Sequence, residues 1–195
     1  MKKKRLLTEN LGEKSIGRNF GISNISNLIM VICLLISIYS KAQKQCDYQI
    51  DTSEILNNQN LSAFILNLQT DSFKISYSKK DIPRFINKQL DCLTNGFSIA
   101  NPGHKYQCCC TSSMLLPERQ LIFLGISEDI FVMTYLTGGI GVSTHLLLIK
   151  FENNRIIDLW TGHCNRNSSS IKEIVNYINK NKDKEWGLNS NILIM

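Results

Sequence analysis

The chain predicts an α+β domain: a four-stranded antiparallel meander with flanking helices and a cysteine-rich loop, occupying residues 43–195 as a single globular unit. Three observations carry that expectation. Four runs rich in aliphatic and aromatic residues, 120–125, 130–136, 142–151 and 155–161, are separated by turns at Ser127–Asp129, Gly138–Gly139 and Asn153–Asn154, the pattern of strands joined by hairpins. Apolar residues at helical spacing lie before and after these runs. The composition of the 195 residues, 43% hydrophobic and 19% charged with a net charge of +6, suits a folded chain rather than a disordered one.

Residues 1–42 read differently from the rest. They hold seven Lys or Arg against Glu9 and Glu13, and the apolar run from Leu28 to Tyr39 leads into Ser40-Lys41-Ala42, with small residues three and one before Gln43. That succession of basic, apolar and small-residue segments predicts a secretory signal peptide cut after Ala42; an uncleaved membrane anchor and a buried helix are the alternatives. The protein is then exported, to a periplasm or the extracellular space. Membrane contact is expected only through residues 28–39, and only if the signal stays uncleaved. Beyond residue 42, fifteen bases meet fourteen acids, so the domain lacks the surplus expected of a nucleic-acid binder.

The elements follow in order. Residues 51–68 carry Leu61, Phe64, Ile65 and Leu68 on one helical face. Residues 72–77 alternate polar and apolar, a short half-buried strand. Asp81 is the expected N-cap of a helix with Pro83 in its first turn and Ile82, Ile86, Leu90 and Leu93 as its stripe, stopped by Asn95-Gly96. No periodicity marks 97–117, a stretch too long to be an idle loop. The first two meander runs are apolar on both alternating faces, so the sheet should be covered on both sides, or covered on one and paired with a partner on the other. Ser170 and Glu173 form a capping box ahead of the stripe Ile171, Ile174, Val175 and Ile178. The apolar end of 186–195 is expected to dock on the body, with an edge strand as one form.

Six cysteines follow residue 43: Cys46, Cys92, Cys108, Cys109, Cys110 and Cys164. An even number in an exported chain predicts disulfides. Bridges within the 108–110 triplet would be strained or close a very short loop, so each member is expected to take one of Cys46, Cys92 and Cys164, making the triplet a hub.

Two constellations could carry chemistry. With Asn153-Asn154 as a two-residue turn, Phe151 faces Ile156, His145 faces Gly162 and Ser143 faces Cys164, which puts His145 and Cys164 on one face as a thiol–imidazole pair. Alternatively, His104, Cys108 and Cys110, completed by His163 or Cys164, offer the N and S donors that zinc or copper prefers. Neither forms a full catalytic set, and disulfides compete for the same thiols. Gly138-Gly139-Ile140-Gly141 lacks the Lys and Ser or Thr of a phosphate loop and reads as a bend. The carboxylates Glu128, Asp129 and Glu152 fall in turns, whereas Asp158 shares a face with Ile149 and Trp160 in that register and would need a partner. The leading expectation is a non-catalytic binding or interaction module for a protein or small-molecule ligand, without cofactor. A metal-binding or Cys/His-dependent enzyme is the alternative.

Overall fold

The computed structural model describes residues 46–108, 115–139, 141–166 and 168–184, together with Met30. The expected signal segment 1–42, apart from Met30, and Cys109, Cys110 and the tail 186–195 lie outside the described residues. The elements are α1 (Thr52–Leu56), α2 (Leu61–Thr70), β1 (Lys74–Ser76), a 3-10 turn (Lys79–Asp81), α3 (Arg84–Leu93) and β2 (Ile99–Ala100). They are followed by β3 (Arg119–Ile126), β4 (Ile130–Thr137), β5 (Ser143–Glu152), β6 (Arg155–His163) and α4 (Ile171–Asn181). Among the described residues no helix is long and apolar enough to cross a membrane.

The fold is α+β, but the expected count of four strands is corrected to six. Strands β3 to β6 form the antiparallel meander, while β1 pairs antiparallel with one end of β3 and β2 pairs parallel with the other end. The sheet order is therefore β1-β3-β4-β5-β6, with β2 beside β3 on the side of β1. Two residues of β2 are too few for a periodic signal, and alternation in 72–77 reveals a strand without its neighbour.

Asn153 and Asn154 both take positive φ, 49° and 60°, as the tight β5–β6 turn requires. Phe151 faces Ile156 as expected. A register shift between Lys150 and Phe151 then leaves Ile157 as an extra residue on β6, so Lys150 faces Asp158 and His145 faces His163 instead of Gly162. One extra residue exchanges the two faces of everything beyond it.

The register defines those faces. Gly125, Val132, Leu148 and Trp160 form a cross-strand row on the first face, and α4 lies over it, with the Ile171 side chain 3.4 Å from where a Gly125 Cβ would stand. Helix α2 packs against α4. The second face carries Phe131 and Ile149, and farther along Phe151, whose ring meets Phe85 of α3 edge-on at 5.2 Å. Covering on both faces explains why β4 is buried along its whole length.

The single helix expected over 51–68 is split. Asn58 adopts φ 53° between α1 and α2, and from there its side-chain oxygen accepts from Trp160 Nε1 at 3.1 Å. Asn60 then donates to Asp158 Oδ1 at 2.6 Å and to the Leu159 carbonyl at 3.2 Å. These bonds supply the partner that Asp158 needs and occupy the outer side of β6. The expected N-cap Asp81 instead lies in the 3-10 turn and accepts from Ser76 Oγ, and α3 begins after Pro83. The capping box of α4 stands: Ser170 Oγ accepts from the Glu173 N–H at 3.3 Å, and Glu173 accepts from the Ser169 N–H at 3.0 Å. Those backbone and hydroxyl donors hold the Glu173 carboxyl below its usual range.

Cys46 is bonded to Cys92, with Cα atoms 5.7 Å apart, so the hub is corrected for these two cysteines. The cause is the path of the chain before α1. It passes the edge of β6, where the Tyr48 hydroxyl bonds the Leu159 backbone, and reaches α3, where Gln89 donates to Asp47 at 2.7 Å. Sequence spacing carries no record of that path.

Candidate functional site

The start of β3, the ends of β4 and β6 and the start of β5 meet at one end of the sheet. On the second face, alternation there brings together Arg119, Tyr135, Thr137, Ser143, His145 and His163. The His145 ring lies between Tyr135, stacked at 5.4 Å, and His163, tilted at 5.2 Å. Its Nε2 is 2.9 Å from Thr137 Oγ1 and 2.8 Å from Ser143 Oγ, and the two hydroxyls are 2.9 Å from each other. Arg119 is buried, bonds Tyr135, lies 5.0 Å over the Phe97 ring and pairs with Glu118, leaving its Nε without a partner.

Burial, with Coulombic contributions from His163 and Arg119, pulls the His145 pKa down to about 4, so the imidazole is neutral at ordinary pH. Burial likewise pushes Tyr135 up to about 12. A hydroxyl at 2.8 Å from an imidazole nitrogen is the spacing of a nucleophile and its base. Here, however, Thr137 shares the nitrogen, no carboxylate among the described residues bonds the ring, and burial together with the Arg119 charge opposes its taking a proton. Thr137, Ser143 and His145 form a hydrogen-bonded network at this end of the sheet, beside which Arg119 Nε stays unpaired.

The thiol–imidazole pair is corrected by the register. The Cys164 N–H donates to the Thr144 carbonyl at 2.9 Å, which continues the shifted ladder and puts Cys164 on the face opposite His145. Its thiol is buried against Ser168 and pushed up to about 11, so it remains protonated. His104 is exposed, and its carbonyl accepts from Gln120. Among the described residues no group of three or more His, Cys, Asp or Glu is placed to hold a metal ion, and Cys110 of the expected set lies outside them.

The segment entering the triplet is held at its neck, where the Gln107 N–H donates to the Pro117 carbonyl at 2.8 Å and its side chain to the Leu116 carbonyl at 3.1 Å. It lies directly on Gly138: a Cβ there would run into the Gln107 carbonyl and stand 2.6 Å from Cys108 Cα. Gly138→Ala is therefore expected to lower stability by about 1–3 kcal/mol through overpacking, read as a lower urea midpoint at constant slope.

No protein-family model, curated protein or solved structure matches the chain.

Two surface grooves among the described residues are lined by charged side chains. One, of about 770 Å³, lies at the turn end of the sheet and gathers Asp71, Glu128, Asp129 and Glu152. Two of its carboxylates have local partners, Asp71 accepting from Ser127 and Asp129 standing 3.9 Å from Lys150 Nζ. The other, of about 670 Å³, runs beside the start of α3. Lys79, Lys80, Arg84 and Lys88 line it against one carboxylate, Asp91, and Ile82, Phe97, Ile99 and Pro117 supply apolar lining. Pro83 offers the first N–H groups of α3 no side-chain acceptor, which adds to the positive potential of that end. Sequence reasoning did not single out these cations. Lys80, Arg84 and Lys88 recur at every fourth residue, the spacing of one helical face, but Pro83 interrupts the helix between the first two.

Proposed function

We propose that the chain is an exported, non-catalytic binding module whose ligand is anionic and whose binding surface is the groove beside α3. The observation that carries this reading is the concentration of four cations around one carboxylate in a domain whose bases and acids otherwise nearly cancel. Long cationic side chains over an apolar lining suit a ligand with negative groups on a partly apolar body. Export is supported by the signal-like order of residues 1–42 and by the Cys46–Cys92 bridge, a bond favoured in oxidising compartments. The non-catalytic reading is supported by the neutral His145, whose Nε2 is shared by two hydroxyls, and by the protonated Cys164 on the opposite face.

The test is a titration of the isotope-labelled full chain with pyrophosphate, followed by amide shifts. Shifts should concentrate at 79–91 and 97–99 and fade with added salt. In the Arg84→Glu, Lys88→Glu double variant the affinity should fall by about tenfold or more, the scale of one lost charge-assisted contact. Shifts scattered over the surface, or unchanged affinity in the double variant, would overturn the reading.

A further inference from the structure

We infer that the anionic ligand of this groove is an extended acidic segment of another protein, added as a strand outside β1. This inference rests on the anion-binding reading and names the partner's chemistry. It starts from the unequal edges of the sheet. On one side the outer edge of β6 is met by the chain itself at Leu159, whose carbonyl takes the Asn60 amide and whose backbone also faces the Tyr48 hydroxyl. On the other side β1 ends the sheet order, with no described strand beyond it. An open edge is a template for a further strand.

The side chains around that edge describe its guest. Ile75 and Tyr77 are 43% and 56% exposed, large apolar surfaces on and just after the edge strand. The chain then runs from Ser76 into Lys79 and Lys80, so the edge and the cationic groove are continuous along the backbone. Lys74 is exposed on β1 itself. A guest strand with apolar residues against Ile75 and Tyr77 and carboxylates toward Lys74, Lys79, Lys80, Arg84 and Lys88 would satisfy both surfaces.

The same charges select against two other occupants. A second copy pairing β1 to β1 in parallel would bring Lys74, Lys79 and Lys80 of both chains together, a like-charge arrangement that disfavours that pairing. A nucleic acid would need a broader basic surface than four cations and one carboxylate, and stacking surfaces for its bases; one face of Phe97, the aromatic ring of the groove, is already taken by Arg119.

The test compares four probes on the full chain. They are a peptide of about ten residues alternating Asp and Val, the same peptide with every second Val replaced by Pro, a single-stranded oligonucleotide of matched charge, and pyrophosphate. The alternating peptide should bind, protect amides of 74–76 from hydrogen exchange, and lose about tenfold in affinity both in the Pro version and on Lys79→Glu with Lys80→Glu. Equal binding of the Pro peptide, or binding without protection at 74–76, would overturn strand addition. Peptide silence with pyrophosphate still shifting the groove would overturn the peptide guest and leave the anion reading standing. Silence of all four probes would sink both, and tighter binding of the oligonucleotide would replace the protein partner with a nucleic acid.

Discussion

Removing the Cys46–Cys92 bridge, by Cys46→Ala with Cys92→Ala, is expected to lower folding stability by about 4 kcal/mol. The two cysteines are 46 residues apart, and closing a loop of that size in the unfolded chain removes entropy worth about 4 kcal/mol at room temperature on the chain-entropy account. The loss should exceed the entropic figure if the segment carrying Asp47 and Tyr48 lifts away, since Gln89 then loses its Asp47 bond and the Leu159 backbone its Tyr48 hydroxyl. Urea unfolding of the wild type and the double variant, both under non-reducing conditions, measures it. A difference below about 1 kcal/mol would mean that the closed loop contributes little and that packing alone holds the segment.

Acid is expected to destabilise the sheet end through His145. Its folded pKa of about 4 lies below the ordinary 6.5, so between these values the unfolded chain binds the proton more readily. The stabilising effect of the neutral ring is full above pH 6.5 and is lost as pH falls to 4, a loss of about 3 kcal/mol for a shift of that size. The groups facing the ring account for the direction. Tyr135 of β4 and His163 of β6 flank it, Thr137 and Ser143 engage its Nε2, and Arg119 of β3 adds a fixed positive charge. Carboxylates elsewhere also titrate in this range, so the informative quantity is the difference between wild type and His145→Gln. Stability should fall by about 3 kcal/mol more in the wild type between pH 7 and pH 4. Parallel pH curves for the two proteins would show that the ring does not govern acid sensitivity.

Much of the fold was legible because periodicity and turn chemistry are local. The α4 stripe and its cap, the Asn153-Asn154 hairpin and the four long strands all follow from residues within a few positions of one another. What escaped depends on distant contacts. The break at Asn58 serves Trp160 about a hundred residues away, and the Cys46–Cys92 pairing depends on a path around the sheet edge. The candidate site shows the same division. His145 was identifiable as a residue of interest, but its neighbour was decided by the extra residue at Ile157, which replaced Gly162 with His163 opposite it and sent Cys164 to the other face. The cations of the groove were visible as a spacing, yet only the turn at Lys79–Asp81 and the start of α3 after Pro83 gather them around one cleft.

The covering of β6 by Tyr48 and Asn60 also limits how the protein can assemble. A cross-β fibre grows because every added strand presents a fresh edge to the next, which requires that both sides of the unit accept a neighbour. With β6 met by its own chain at Leu159, the described sheet offers such a stack one free side rather than two. If a guest strand adds beside β1, saturation at one guest per chain follows, and the folded domain would not be driven into filaments by that route.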